Sequence, residues 1–307
     1  MSRLEQEVGG LWAEARIVGQ RRLRGHTGAE IEVELLDPVG IPLFTVFHHP
    51  ARPPHGIVLM ISPPFAEAIR NQRRELLFAL LTADQGLAAV RFHARGSGHS
   101  GGEAVNLTLD TMQHDAEEVA MTACDRFDAP IVGVIGTRLG AVVAHRVANS
   151  RPQAGIAWWS PVLNAGSYMR ELSRANRIGG LKQGITSQPA GADPLEDGIL
   201  DVLGSPVSLE FRRSLFARPL DDVPGDPRHL LLVQMSRRRD LKSEYSDVLS
   251  SLRSRGWSAE SLLIQDEETW WFGARGRGQE YELRSKALQV VPATVAFFSG
   301  LAASLRP

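Results

Sequence analysis

The sequence is poor in the features that mark several classes of protein. It contains one cysteine, Cys124, so no disulfide can form within the chain, which is usual in a reducing compartment. Its formal net charge is −1, and this balance gives no basis for binding nucleic acid or an anionic membrane. The longest apolar runs, 56–61 and 131–135, are far shorter than the roughly 20 residues that cross a bilayer. Because residues 1–10 are polar and lack an apolar secretion signal, we expect a soluble, cytoplasmic protein without membrane insertion.

Signals for cofactors are also missing. The glycine groups match neither a phosphate-binding loop nor a dinucleotide fingerprint, and no metal-ligand spacing occurs. We therefore expect no cofactor and no metal. The expected partner is a small-molecule or peptide ligand rather than nucleic acid, and a homodimer is left open.

What the sequence does contain is an alternation of short apolar runs and amphipathic segments. Residues 30–36 and 43–47 alternate between apolar and polar side chains, which predicts antiparallel strands. Nearly continuous apolar strands separated by helices are typical of a parallel, doubly wound sheet. Such strands are predicted at 56–61, 88–92, 131–135 and 154–159, with helices at 71–85, 110–127 and 139–150.

The alternation is interrupted at 164–226, a segment rich in glycine, proline, serine and arginine without a core strand. It resumes with strands at 229–235 and 261–265 and helices near 243–255 and 291–305. We therefore divide the chain into a first half of the core (1–163), an insertion (164–226) and a second half (227–307). Ligands bind outside the carboxyl ends of strands in such folds, so the insertion is interpreted as a lid, with a surface excursion as the alternative.

The most informative segment is 131–143, IVGVIGTRLGAVV, in which an apolar strand enters Gly136-Thr137-Arg138-Leu139-Gly140 and then a helix. This is the strand, turn and helix context of the G-x-S-x-G nucleophile elbow, and it predicts an α/β-hydrolase fold. Arg138 occupies the central position, and a guanidinium cannot attack a carbonyl carbon. Thr137 lies one position away, with its side chain expected to point sideways.

The other members of a hydrolytic triad are missing as well. Asp240 follows the strand predicted at 229–235 and is a candidate acid, although the preceding Ser-Arg-Arg-Arg run is equally compatible with a surface ion pair. No histidine follows His229, so the position after the last strand has no general base. His99, in a glycine-rich loop, is the one histidine considered as a base, and a surface histidine is the commoner alternative.

Several motifs together resemble one family. Residues 62–74 (SPPFAEAIRNQRR) resemble the PPFAEE-type loop of the α/β-hydrolases associated with exosortase A systems, second type, and 136–141 (GTRLGA) is similar to that family's elbow. Residues 92–101 (FHARGSGHSG) are similar to the superfamily's FDxRGxGxS segment, with His93 in place of the aspartate. The resemblance covers about 44–298, but Arg70 and Ala68 depart from the family pattern. The family is called "hydrolase" after its fold, so the resemblance implies no particular reaction.

The resemblance implies a site at the carboxyl edge of the sheet. The N–H groups of Leu139 and of Phe65 or Ala66 would form the oxyanion hole. Arg138 would stand at a helix N-terminus, where a cation is unfavourable unless an anion lies beside it. Glu67 is the internal candidate for that anion, and a ligand carboxylate is the external one.

Aromatic side chains could complete an apolar cleft, but tryptophans near strand ends are more often part of the core. Trp158 and Trp159 are adjacent on a strand, so at most one of them faces a cleft. The residues expected to bind ligand are Pro64, Phe65, Ala66, Glu67, Arg70, Thr137, Arg138, Leu139, Trp159, Trp270 and Trp271.

Three functions remain in competition at this point. The first is a non-hydrolytic enzyme that binds an acyl- or carboxylate-bearing small molecule or peptide and promotes proton transfer, cyclisation or epimerisation. The second is a binding or scaffold pseudoenzyme. The third is an esterase or thioesterase with a non-classical mechanism, such as a water activated by a carboxylate.

Overall fold

The computed structural model describes residues 20–24, 30–38, 40–183, 198–202, 204–217, 225–226, 228–265 and 286–305. The strands are β1 (Gln20–Arg24), β2 (Glu30–Leu36), β3 (Leu43–His49), β4 (Ile57–Ile61), β5 (Ala88–Phe92), β6 (Ile131–Thr137), β7 (Gly155–Trp159), β8 (Leu200–Val202), β9 (Ser205–Val207), β10 (His229–Ser236) and β11 (Ser258–Gln265). The helices are α1 (Ala66–Asp84), α2 (Leu109–Phe127), α3 (Gly140–Asn149), α4 (Ala165–Gln183), α5 (Leu209–Ala217), α6 (Ser243–Ser254) and α7 (Val290–Ser304).

The strands form a twisted, mostly parallel sheet. Within the described residues its order is β1-β2-β3-β5-β4-β6-β7-β10-β11. β1 pairs with β2, β2 with β3 and β3 with β5, each time antiparallel, whereas the pairs from β5 through β4, β6, β7 and β10 to β11 are parallel. The predicted fold class, a doubly wound α/β sheet preceded by antiparallel strands, is confirmed.

Helices cover both faces of this sheet, so the central strands β4 and β6 are buried along their whole length. Adjacent residues of a strand point to opposite faces, and β7 displays this directly. The ring of Trp158 packs against His145 of α3, and the ring of Trp159 packs against Phe78 of α1. The core therefore has two layers, with α3 on one side of the sheet and α1 on the other.

The segment between β7 and β10 carries α4, the hairpin β8–β9 and α5, and its described residues add no strand to the main sheet. It is packed onto the core: Tyr168, Leu172 and Phe211 are buried. Arg212 is fully buried and donates to the carbonyl oxygen of Ser208 at 3.2 Å. These contacts argue against a loose surface excursion, while a lid function stays a prediction.

Most predicted elements agree with the structure within one or two residues, but α1 is an exception. It begins at Ala66, five residues before the predicted start at 71. The residues gained, AEAIR, include good helix formers, although the motif to which they belong predicts a loop. The earlier start brings Glu67 into the first turn of the helix. In the described ranges, no helix is long and apolar enough to cross a membrane.

Candidate functional site at the turn between β6 and α3

The turn between β6 and α3 is sharp and strained. Arg138 has φ 53°, a left-handed conformation that is uncommon for a residue with a long side chain. Its N–H donates to the carbonyl oxygen of Trp159 at 2.9 Å, and its carbonyl oxygen accepts from the N–H groups of Ala141 and Val162, each at 3.2 Å. Hydrogen bonds from both sides therefore hold the backbone of Arg138 in this conformation.

The glycines on either side of Arg138 are needed for this geometry. A Cβ atom on Gly136 would lie 2.4 Å from the Cα atom of Ala141, and one on Gly140 would lie 2.4 Å from the carbonyl oxygen of Ile61. Both obstacles are backbone atoms that cannot give way. The turn thus has the strand, the strained central residue, the helix and the glycines that the elbow motif requires.

The side chain of Arg138 is buried and lies among carboxylates. Its Nε donates to Oε1 of Glu67 at 3.0 Å, and its Nη2 donates to Oε2 of Glu171 at 2.5 Å. The hydroxyl of Tyr168 donates to the other oxygen of Glu67, Oε2, at 2.8 Å. The internal pairing of Arg138 with Glu67, one of the alternatives raised by the sequence, is therefore present.

Burial and the neighbouring charges shift the pKa values of Arg138 and Glu67 in opposite directions. Burial alone would lower the pKa of the Arg138 guanidinium, but the carboxylates of Glu67 and Glu171 outweigh burial and raise it. Burial raises the pKa of the Glu67 carboxyl, and Arg138 and Tyr168 oppose that shift. Burial, together with Glu67, raises the pKa of the Tyr168 hydroxyl, which keeps its proton and remains a donor. Arg138 is consequently a permanent cation.

The outer end of this group opens into a surface depression of about 330 Å³, part of which is open solvent. Tyr245 forms part of its wall and donates to the carbonyl oxygen of Pro161 at 2.7 Å. The ammonium of Lys242 lies 5.6 Å from the centre of the Tyr245 ring. The charged and polar residues that line the depression are Arg138, Asn164, Ser167, Tyr168, Glu171, Lys242, Glu244 and Tyr245.

A second polar group, here called the rear cluster, consists of Ser62, Asn71, Glu75 and Thr137. The hydroxyl of Ser62 donates to the Glu75 carboxyl at 2.7 Å, and Nδ2 of Asn71 donates to the same carboxyl at 2.6 Å. Nδ2 of Asn71 also lies 3.1 Å from the Thr137 hydroxyl oxygen. Thr137 thus bonds toward α1, in the sideways direction expected from the turn, and it does not line the depression, although the sequence counts it among the expected ligand-binding residues.

The residues expected around an oxyanion hole meet where β4 and β6 end. Phe65 immediately precedes α1 with φ 62°, a second strained non-glycine residue, and its ring contacts Phe211. Ala66 begins α1 and Leu139 directly precedes α3. Pro64 lines a different, mainly apolar depression. Two helix N-termini therefore lie beside the turn, which leaves the predicted oxyanion hole compatible with the backbone but untested.

Trp159, which the sequence places among the expected ligand-binding residues, does not line the depression. Its side chain is fully buried, and its indole N–H donates to the Thr294 hydroxyl of α7 at 2.9 Å. The strand's alternation directs the ring into the core between the sheet and α7. Arg70, another expected binding residue, is exposed on α1 and does not line the depression either. Trp270 and Trp271 lie outside the described residues.

The two candidate proton-transfer groups lie away from Arg138. His99 is exposed, its ring stacks edge-on against Phe44, and its backbone N–H donates to Nδ1 of His93 at 3.0 Å. Asp240 is exposed after β10, where its carbonyl oxygen accepts from Gln234. Neither residue lines the depression. The structure therefore does not bring His99 or Asp240 together with Arg138, as a triad would need.

Sequence reasoning missed Glu171, Lys242 and Tyr245. The spacing of Tyr168 and Glu171, three residues apart on α4 just after β7, places both on one helix face and was an available signal. Lys242 and Tyr245 reach the site from the start of α6, about 100 residues after the elbow. Nothing local in the sequence connects them to Arg138. Among the described residues, no group of three His, Cys, Asp or Glu side chains could hold a metal ion.

Comparison with known proteins gives a structural likeness without a sequence relative. No family model and no curated protein sequence matches the chain. The esterase Est1E from Butyrivibrio proteoclasticus, solved with bound ferulic acid, superimposes with TM-score 0.56 at 15% identity, over 87% of this chain and 98% of that one. A thermostable carboxyl esterase from Bacillus coagulans, in complex with glycerol, gives TM-score 0.54 at 13% identity, over 92% and 98%. A thioesterase domain from the curacin biosynthetic pathway gives 0.50 at 14%, over 87% and 98%.

These neighbours and the sheet topology define the class of protein. The chain has the α/β-hydrolase fold, with the strand order, parallel core and strained strand-to-helix turn of that architecture. At such low identities the likeness extends to the fold alone, because one fold supports many unrelated activities.

Proposed function

We propose that this chain binds an acyl- or carboxylate-bearing small molecule or peptide beside Arg138 and promotes non-hydrolytic chemistry on it. The supporting observation is the arginine itself, fixed at φ 53° in the elbow with its guanidinium at the wall of an open depression. A guanidinium at a helix N-terminus is a good donor to a carboxylate and cannot serve as a nucleophile.

The charged groups around Arg138 favour proton transfer over acyl transfer. Both oxygens of Glu67 already accept hydrogen bonds, one from Arg138 and the other from Tyr168, so this carboxyl is engaged within the protein. Glu171 is more accessible, with 38% of its side chain exposed at the depression. A bound ligand would lie next to this carboxylate, which can accept a proton from it and return the proton elsewhere on the ligand. In a cyclisation by intramolecular addition, the carboxylate would take the proton of the attacking group and return it to the atom that receives the displaced electron pair, so that no leaving group is needed. An epimerisation would in addition require that the proton be returned on the opposite face of the carbon.

The runner-up is a binding or scaffold pseudoenzyme, favoured by the distance of His99 and Asp240 from the site. An esterase or thioesterase with a carboxylate-activated water is the third candidate. A serine-reactive fluorophosphonate and p-nitrophenyl esters separate the third from the others. We expect no labelled residue and no ester turnover, and a labelled side chain or a steady release of p-nitrophenol contradicts the proposal.

The ligand itself is tested with hexanoate as a probe, using hexanamide as its neutral counterpart. Wild-type protein is expected to bind hexanoate in calorimetric titration and to bind hexanamide much more weakly. Arg138→Ala is expected to abolish binding of hexanoate, while Arg70→Ala, which removes an exposed arginine outside the depression, leaves it unchanged. If Arg138→Ala lowers the free energy of unfolding but binds hexanoate as wild type does, Arg138 is a structural partner of Glu67 and the proposal is wrong.

A further inference from the structure

The carboxylates of Glu67 and Glu171 both contact Arg138, but they differ in their exposure to solvent. The side chain of Glu67 is 2% exposed, and that of Glu171 is 38% exposed. Glu67 lies in the first turn of α1 and carries a second donor, Tyr168, on its other oxygen. Glu171 lies on α4 and takes Nη2 of Arg138 at the edge of the depression. The inner contact is thus enclosed by protein, whereas the outer contact adjoins solvent.

The outer contact can break without moving the helix that carries it. Tyr168 and Glu171 are three residues apart on α4 and share one face of that helix. Tyr168 is buried and anchors that face to Glu67 by its hydroxyl. A change of rotamer at Glu171 therefore leaves the backbone of α4 in place.

Repulsion between carboxylates at Arg138 determines how a carboxylate ligand can bind there. Arg138 already bonds the carboxylates of Glu67 and Glu171, so a third carboxylate at the same guanidinium would be repelled by both. Exchange with Glu171 keeps the number of anions at Arg138 constant and frees the Glu171 carboxylate from the guanidinium, beside the bound ligand in the depression. Lys242, which lines the same depression, offers a cation to the displaced side chain or to the ligand.

Resting on the proposed function, we infer that Glu171 occupies the carboxylate subsite of the ligand on Arg138 and is displaced when a carboxylate-bearing ligand binds. The subsite is the Nη2 side of the guanidinium, facing the depression. Glu67 and Tyr168 stay in place and hold Arg138 in position. The apparent affinity for a carboxylate is the intrinsic affinity multiplied by the fraction of molecules in which Glu171 has left the subsite.

This inference predicts an unusual outcome, because removing a residue that lines the site strengthens binding. Calorimetric titration with hexanoate should give at least about a tenfold lower dissociation constant for Glu171→Ala than for wild type. Hexanamide has no carboxylate with which to compete for the guanidinium, so it should leave Glu171 in place and bind the two proteins within about twofold of each other. Glu171→Asp keeps the charge but shortens the side chain by one methylene, and it should fall between wild type and Glu171→Ala.

The matched control is Glu244→Ala, which removes an exposed carboxylate from the same depression. If the effect came from net charge alone, Glu244→Ala would strengthen hexanoate binding as much as Glu171→Ala. We expect a change below about threefold, as for an exposed charge screened by solvent. Equal strengthening by both variants overturns the displacement of Glu171.

The remaining outcomes separate this inference from the function on which it rests. If wild type binds hexanoate in preference to hexanamide and Arg138→Ala abolishes that binding, the proposed function stands. Unchanged or weaker binding by Glu171→Ala then overturns the exchange alone. If none of the proteins prefers hexanoate to hexanamide, the proposed function fails and the exchange fails with it.

Discussion

Glu67 and Glu75 lie eight residues apart on the same helix, and both are buried, yet their surroundings differ. Glu67 receives hydrogen bonds from the cation Arg138 and from Tyr168, next to an opening to solvent. Glu75 receives its described hydrogen bonds from the neutral groups of Ser62 and Asn71, behind the turn. Glu67 therefore accepts a hydrogen bond from a cation, whereas Glu75 accepts its described hydrogen bonds from neutral groups and is acted on electrostatically by Arg91 and Arg74.

This difference distinguishes the group around Arg138, which can bind a ligand, from the rear cluster, which holds the turn in position. Burial raises the pKa of the Glu75 carboxyl, and the hydrogen bonds from Ser62 and Asn71 and the charges of Arg91 and Arg74 oppose that shift. Glu67 instead forms an ion pair with Arg138, which never loses its proton, and its other oxygen accepts from Tyr168. The rear cluster can therefore position Thr137 and the turn, whereas the group around Arg138 carries charge to the surface where a ligand arrives.

The largest expected effect comes from making the same substitution at both positions. Glu67→Gln leaves the Arg138 guanidinium buried without its inner carboxylate, and we expect a loss of about 3–5 kcal/mol in the free energy of unfolding. Glu75→Gln replaces a carboxyl by an amide of the same shape, and we expect a loss below about 1.5 kcal/mol at neutral pH. Urea denaturation of both variants measures the contrast. Equal losses would mean that the two carboxyls carry the same charge.

An intermediate effect is expected for Tyr168→Phe. This substitution removes a hydroxyl that donates to a charged carboxylate and leaves the ring in place, so a loss of about 1.5–3 kcal/mol is expected. Tyr245→Phe is the matched control, because the Tyr245 hydroxyl donates to a neutral carbonyl and should contribute about 0.5–1.5 kcal/mol. Losses in the reverse order would contradict an ionised Glu67.

The smallest expected effect is a pH dependence of the free energy of unfolding that arises from Glu75. Its pKa is raised in the folded state, so the group stabilises the fold fully below the ordinary carboxyl pKa of 4.5. That contribution is lost as the pH rises through the folded-state pKa. The stability of wild type relative to Glu75→Gln should therefore fall with rising pH, measured by urea denaturation at a series of pH values. Glu103→Gln, at an exposed position, serves as the reference, and a rise of stability with pH at Glu75 would contradict a raised pKa of its carboxyl.

The sequence allowed the prediction of much of the fold because its signals were local. The apolar runs at 88–92 and 131–135 lie in buried strands. Glycine is required at 136 and 140 because a Cβ atom there would collide with the backbone of Ala141 or of Ile61 at the end of β4. The pairing of Arg138 with Glu67 was one of two alternatives that the sequence left open, since a cation at a helix N-terminus needs an anion nearby. Each of these predictions follows from backbone sterics or from the charge of one residue.

The remainder of the site depends on packing between distant segments. Trp159 was expected near a ligand, but its ring enters the core because α7, more than 130 residues later, supplies Thr294 as a partner. Glu171 and Lys242 join Arg138 from α4 and α6, whose placement follows from how the insertion and the second half of the core dock. Such contacts leave no periodic pattern or spacing within the sequence.

The central claim is that the guanidinium of Arg138 binds the carboxylate of a ligand at the elbow. A crystal structure of the wild-type protein with hexanoate tests it most directly. We predict the hexanoate carboxylate within hydrogen-bond distance of Nη2 of Arg138, with Glu171 turned away and Glu67 unmoved. Hexanoate bound elsewhere, with Arg138 still bonded to both Glu67 and Glu171, would contradict it.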